Sequence, residues 1–500
     1  MWRYQDGAGD EPPMPSAAQL ARHRGRVLDP ATAVLRPTDR IRPTAYVGDQ
    51  LLVREAHRPA VDTHLDEAFG HLSVKRQDAV PGIDPELRVA TYTFGPGDSG
   101  PVRVDAWDIL QSVRASVSDV AAGLNHLFVT TTSTQGYHSP NPYHSPNPST
   151  PGSGVDLYGV RGWGGREPVG WMGPAPVRRE DEELLPGRRP VVAVLDTGCG
   201  RHEWLDDVTR LGEPANGSIG LAGQGPDDLP NLWGPMDGVL GPVCGHGTFI
   251  CGLIRQLCPD ADILSARVVA ADGLAEEGVI LTALGRLDTI AGQGRLDVVS
   301  LSFGAYYELA TDPARKELWH ALTALAQKGV VVVASAGNDA TTRPMFPAAF
   351  APHQGGDFPE LLAQQVPLVS VAAKNVDGTV ALFSNGGPYV LHWEPGVSLV
   401  STMPDYDAGE NPASAAIDPS GQQRRAQDPD FYGRVRPGQG PGGFAVWSGT
   451  SFAAPVLAGR IAQQLLDGQL GARTVDGAWD AVTEFTGLGQ PGKTPGTVPG

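Results

Sequence analysis

The sequence predicts an α/β protein built on a doubly wound, mostly parallel sheet and preceded by a small α+β unit. Three observations predict it. Short valine-rich runs alternate with helical segments from about Arg189 to Leu466. Those runs show little polar alternation, as strands covered on both faces should. The residues with the most chemical potential follow the strands, and open α/β sheets gather their sites at strand carboxyl ends.

Residues 1–45 are polar and punctuated by proline, and read as an unstructured leader. Residues 46–132 change character. Gln50 to Arg54 reads as a strand, Ala60 to Leu72 as a helix, and Leu72 to Arg76 as a second strand. Leu87 to Phe94 alternates like a third strand, Asp105 to Ala115 is amphipathic, and His126 to Thr131 closes the unit as a strand. The resulting β-α-β-β-α-β order is that of a small ferredoxin-like sandwich. Residues 133–188 form a Pro/Gly-rich linker in which Tyr137 to Pro142 (YHSPNP) is repeated as Tyr143 to Pro148. His138 and His144 within it read as solvated linker residues rather than metal ligands. The main domain, 189–470, has strands at Val191 to Leu195, Ile263 to Val269, Val298 to Ser302, Val330 to Ser335 and Leu368 to Ala373. Its helices fall at His246 to Gln256, Glu277 to Ala291, Pro313 to Lys328 and Thr450 to Leu466. Residues 471–500 read as a tail.

Composition narrows the function. The chain has 500 residues and a formal charge of −18, which argues against a nucleic-acid surface. The start, MWRYQDGAGDEPPMP, has no apolar core of a signal peptide, and no apolar run reaches the ~18 residues of a membrane span. A cytoplasmic location is expected, the alternative being secretion by an unrecognised route. The four cysteines, Cys199, Cys244, Cys251 and Cys258, lack zinc spacing and read as small buried residues. Cys251 and Cys258 are about 10 Å apart along a helix, too far to bridge. Cys199 and Cys244 lie near candidate site residues, and a bridge between them stays open.

Four stretches carry chemistry. Ser451 lies in SGTSFAAP, where a glycine allows a sharp turn and small residues let the next helix pack closely. A bland reading is a helix N-cap. As a nucleophile it would need a base within hydrogen-bond reach. His246, in GHGT at the start of an apolar helix, is that candidate base; otherwise it is a capping or core histidine. Asp196 ends an apolar strand in VVAVLDTG. A carboxylate there is costly to bury without a partner, and orienting His246 would supply one. Its alternative is a turn-capping aspartate. Asn338, in ASAGND, offers a neutral donor suited to an oxyanion, or is a turn asparagine. The backbone N–H of Ser451 would be the second donor.

These motifs, in the order Asp, His, Ser, resemble those of the subtilisin-like serine proteases, the subtilases, over roughly Arg189 to Leu466. The resemblance implies a serine endopeptidase that acts on polypeptide substrates through an acyl-enzyme, with catalytic residues Asp196, His246 and Ser451 and oxyanion donor Asn338. It also implies that Leu301, Ser302, Phe303 and Gly304 form an edge that pairs with substrate, faced by Ser335, Ala336 and Gly337. Asp339 would then lie near the pocket for the residue before the cut and favour a basic one. Two polar inserts, Glu203 to Pro242 and Pro404 to Gly443, bear on specificity and not on the motifs. Family members often bind structural calcium, but no calcium loop matches, so no cofactor and no metal are expected. Subtilases often carry a βαββαβ propeptide, which makes residues 46–132 a candidate intramolecular inhibitor, against the alternative of a permanent accessory domain. A silent peptide-binding module would be expected to lose one of the three residues. A latent intracellular maturation protease keeps all three and narrows the substrate.

Overall fold

The computed structural model describes residues 11–33, 41–97, 104–130, 167–169, 172–184, 188–212, 219–221, 243–308, 314–353, 364–404, 443–468 and 474–491. The repeated YHSPNP segment, residues 213–218 and 222–242 of the first polar insert and nearly all of the second lie outside the described residues.

The leader is not wholly unstructured, which corrects the sequence reading. Helix α1 (Ala17–Arg22) starts with a capping box between Ser16 and Gln19, and strand β1 (Gly25–Leu28) follows. The order arises from tertiary contact: Gln19 Nε2 donates to the Asp272 carbonyl at 2.8 Å, a partner 253 residues away. Local composition cannot report such a partner.

The N-terminal unit continues with β2 (Thr44–Arg54), α2 (Arg58–Phe69), β3 (Leu72–Gln77), β4 (Val89–Pro96), α3 (Ala106–Ser116) and β5 (Ala122–Thr130). Its strands run antiparallel in the spatial order β5-β2-β4-β3, with β1 also on β2. In β4 the inward residues Ala90, Tyr92 and Phe94 alternate with outward ones, and Trp107, Leu110 and Val113 of α3 cover them. Period two meets period 3.6 across one apolar layer.

A short strand, β6 (Glu167–Val169), precedes the main domain. Its strands are β7 (Val191–Asp196), β8 (Thr209–Leu211), β9 (Asp262–Arg267), β10 (Leu274–Glu276), β11 (Val298–Leu301), β12 (Phe303–Gly304), β13 (Val331–Ser335), β14 (Val369–Lys374), β15 (His392–Pro395), β16 (Leu399–Thr402) and β17 (Phe444–Trp447). Its helices are α4 (His246–Leu257), α5 (Glu277–Gly292), α6 (Ala314–Gln327), α7 (Thr450–Asp467) and α8 (Val475–Thr486). Seven strands form a parallel sheet in the order β15-β14-β13-β11-β7-β9-β8. Phe249, Ile254, Phe452 and Leu457 of α4 and α7 cover one face, and Ile280, Leu284, Leu322 and Leu325 of α5 and α6 cover the other. This is the doubly wound arrangement, and it explains why the central strands are apolar throughout. Helix α8 lies where a tail was expected. Trp479 anchors it, fully buried, with its indole N–H on the Gln365 carbonyl at 2.9 Å.

The two units share a sheet. Strand β5 pairs antiparallel with β10 and with β12, so the last strand of the N-terminal unit lies between two edges of the main domain. Among the described residues no helix is long and apolar enough to cross a membrane.

Candidate active site

The parallel sheet brings the ends of β7, β11 and β13 to one rim, where Asp196, Leu301 and Ser335 stand. Two helices start beside that rim. His246 is the first residue of α4, and Ser451 the second of α7.

The glycines around His246 make its approach to Asp196 feasible. Gly245 has φ +82°, and a Cβ there would lie 2.4 Å from the Met403 methyl. A Cβ on Gly247 would lie 2.1 Å from the Gly198 carbonyl oxygen. With neither side chain present, two reciprocal bonds seat the helix on the loop after β7. Gly247 N–H donates to Thr197 Oγ1 at 2.9 Å, and Gly200 N–H donates to Thr248 Oγ1 at 2.9 Å. His246 Nδ1 then lies 2.6 Å from Asp196 Oδ1, with both side chains fully buried. Asp196 Oδ1 also accepts the Thr197 N–H at 2.7 Å. A carboxylate held this way keeps Nδ1 as the donor and turns Nε2 outward as an acceptor. Nε2 has no hydrogen-bond partner among the described residues. Trp447 and Phe452 flank the ring at centroid distances of 5.6 and 5.1 Å and fix its plane.

Ser451 is close by in the fold but is not bonded to His246. Its Oγ donates to the Ser302 carbonyl at 3.3 Å. In the reverse direction, Ser302 Oγ donates to the Ser451 carbonyl at 2.8 Å. Pro455 explains the second bond. It stands four residues after Ser451 inside α7 and has no N–H, so the Ser451 carbonyl lacks its intrahelical donor. Ser302 fills that role.

Asn338 follows β13 and meets the same helix start. Its Oδ1 accepts both the Thr450 N–H and the Thr450 hydroxyl, each at 2.9 Å. Two donors on one oxygen settle which end of the amide faces α7. Nδ2 is buried and has no partner among the described residues, so its two hydrogens are free for an incoming acceptor. Sequence reasoning missed Thr450, whose place directly before the serine was a usable signal.

The residues of the expected substrate edge fall in different surroundings. Leu301 packs its side chain into the core under the sheet. Phe303 and Gly304 pair with Thr130 and Val129 of β5. On the other side β5 is held by Leu274–Glu276 of β10, not by Ser335, Ala336 and Gly337. Those three stay at the end of β13, where the Ala336 N–H bonds the Val371 carbonyl at 2.8 Å. The β10 edge was not foreseen, and the Asp272-Gly273 turn before it was the available clue. Asp339 is bonded to the Tyr306 hydroxyl at 2.7 Å, and burial pushes its carboxyl up to about 6, against the lowering effect of that bond. A carboxyl so engaged is a weak attractor for a basic side chain. The open question of a Cys199–Cys244 bridge resolves differently: all four cysteines are free and buried. Cys199 instead faces Cys251; that contact, with burial, holds the Cys251 thiol well above its usual range.

Comparison with known proteins agrees with the fold and the family resemblance. A family model described as "Subtilase family" matches residues 187–474. Subtilisin BL of Lederbergia lenta is 28% identical over 229 residues, which is 44% of this chain and 68% of that protein. Minor extracellular protease Epr of Bacillus subtilis (strain 168) is 26% identical over 240 residues, 46% of this chain and 30% of that protein. The crystal structure of fervidolysin from Fervidobacterium pennivorans, a keratinolytic enzyme related to subtilisin, aligns with 89% of this chain and 62% of its own at TM-score 0.50 and 18% identity, a likeness of fold. The chain thus spans less than two thirds of the length of Epr and of fervidolysin.

Proposed function

The chain belongs to the subtilase family, and we propose that it is a serine endopeptidase working through Asp196, His246 and Ser451. The observation that carries this reading is the buried 2.6 Å bond from His246 to Asp196, which leaves Nε2 unpartnered beside the start of α7. Ser451 Oγ rotates from the Ser302 carbonyl to Nε2, gives up its proton and attacks the scissile carbonyl carbon. The tetrahedral oxyanion takes hydrogen bonds from Asn338 Nδ2 and from the Ser451 backbone N–H. His246 passes its proton to the leaving amine, leaving an acyl-enzyme. Water, deprotonated through His246, releases the second product. Asp196 stabilises the imidazolium in both halves and is not itself protonated. Nucleophile, base and donors are all protein groups, so the chemistry needs no cofactor.

The substrate is a polypeptide that adds as a strand along Phe303–Gly304. In this structure β5 occupies that edge, which supports residues 46–132 as an intramolecular inhibitor. The name of the extracellular relative favours the secreted alternative over a cytoplasmic location.

Intact mass of the purified chain and of a Ser451→Ala variant, each treated with a fluorophosphonate, tests the reading. Labelling of the wild type alone is expected. Loss of an N-terminal fragment by the wild type alone would identify a self-processed unit, and labelling at full length a permanent one. If the wild type is unlabelled after the N-terminal unit has been destabilised, the endopeptidase reading fails. A digest of an unstructured protein separates a broad scavenger, which cuts widely, from a maturase, which hardly cuts.

A further inference from the structure

His126 of β5 is fully buried between two carboxylates of the main domain. Its Nδ1 lies 2.6 Å from Glu277 Oε2 and its Nε2 lies 2.8 Å from Glu308 Oε2. Both carboxylates are about as buried as the imidazole, at 1% exposure. Tyr307 organises the group: its hydroxyl donates to Glu277 Oε1 at 2.8 Å, and its ring meets the imidazole edge-on at 4.4 Å. Two ring nitrogens facing two carboxylates require both to be N–H donors, so the ring is an imidazolium. Burial alone would lower its pKa, but Glu308 and Glu277 hold it at about 10.

The position of this ring is what matters. In a strand, residues two apart share a face. Phe128, two residues on, inserts beside Phe303 and Tyr307 at centroid distances of 6.0 and 6.2 Å. Thr130 pairs opposite Phe303, and the residue before Phe303 is Ser302, which is bonded to Ser451. The strand therefore runs toward Ser451 with a cation and then an aromatic ring set into the main domain. Every acceptor in this group belongs to the main domain, and the strand brings only the cation. Two buried acids beside a substrate edge are costly unless a cation is delivered to them.

The geometry points to Glu277 and Glu308 as an extended subsite of the groove that selects polypeptides carrying a basic side chain two residues before an aromatic one, with His126 occupying it in the resting chain. This rests on the endopeptidase reading only for what the subsite serves; the recognition itself is a binding property. Lysine or arginine would replace the imidazolium, whereas glutamine would bring no positive charge and glutamate a repelling one.

Quenched peptides that fix the phenylalanine and vary the residue two before it among Arg, Gln and Glu provide the test, using the full chain. Arg is expected to exceed Gln in kcat/KM by about tenfold or more, as charge-assisted bonds do, with Glu slowest. In Glu277→Gln and Glu308→Gln the Arg preference should shrink toward parity. Equal rates for Arg and Glu in the wild type would overturn the proposal. So would labelling of Ser451 with no peptide cut, because the acids would then serve only the chain's own strand. Anisotropy of the same peptides, fluorescently tagged, on a Ser451→Ala chain that also carries Phe128→Ala to loosen the resident strand keeps the two readings apart. A ranking of Arg over Gln over Glu there, with no labelling of the wild type, sinks the endopeptidase and keeps the subsite. Equal binding or none sinks the subsite whatever the labelling shows.

Discussion

The carbonyl of Ser451 shows how a single residue choice propagates. Pro455 removes its helical donor, and the hydroxyl of Ser302 supplies a replacement at 2.8 Å. An orphaned buried acceptor costs about 1–3 kcal/mol. Ser302→Ala is therefore expected to destabilise the chain by about that amount in urea unfolding. In a Pro455→Ala background, where the helix regains its own N–H, the same substitution should cost clearly less. Equal losses in the two backgrounds would mean that the bond does not replace the missing one. The residues that carry chemistry were legible because their backbone demands leave local traces. Gly245 and Gly247 can be nothing larger, and a proline in the first turns of a helix after Gly449-Thr450-Ser451 is rarely accidental. Thr450 and the hydroxyl of Ser302 left no such trace. Each acts through a partner more than 100 positions distant, Asn338 for Thr450 and Ser451 for Ser302.

Among the elements, β5 behaves unlike an ordinary edge strand. It is buried along nearly its whole length, because β10 flanks it on one side and β2, then β12, on the other. Phe128 is its deepest anchor in the main domain, fully buried against Phe303 and Tyr307. Phe128→Ala should remove about 3–5 kcal/mol of packing. Hydrogen exchange of the amides of residues 122–130 is then expected to speed up by about a hundredfold or more, as the strand leaves its groove by local opening. Unchanged exchange would show that backbone pairing alone holds the strand. The main helices and central strands were readable because burial imposes a period on their side chains. Strand β10 was not, since three residues after an Asp-Gly turn carry no period, and their pairing partner lies about 145 residues earlier. Strand β15 (HWEP) adds to the parallel sheet with only Glu394 fully buried, so its pattern is not that of a core strand.

For the whole molecule, the N-terminal unit is held to the main domain by charge as well as by packing. His23 lies 3.1 Å from Asp272 Oδ2 and 3.2 Å from Glu276 Oε1, and His126 is shared by Glu277 and Glu308. Burial works against the charged form of both rings, but the carboxylates outweigh it and raise His23 to about 9 and His126 to about 10. An unfolded histidine titrates near 6.5. Because the folded values are raised, the stabilisation is complete below about pH 6.5 and is lost as pH rises through 9 and then 10. Each ring contributes on the order of a few kcal/mol, so undocking should be steep in alkali and nearly flat from pH 5 to about 6.5. Thermal unfolding of the Ser451→Ala chain, measured from pH 6 to 10.5, should show a falling midpoint for the N-terminal unit. His126→Gln should lower the midpoint at pH 7 and flatten the later fall, because the titrating group is gone. A variant with a wild-type slope would place the alkaline loss elsewhere in the chain. Nothing local in the sequence marks the acids of this latch, Glu277 in the first turn of a helix and Glu308 in a loop, and in the structure both are buried against the ring of the N-terminal strand. The charge of the interface is therefore a property of the two units together, and alkali should separate them before it unfolds the main-domain sheet, which apolar side chains cover on both faces.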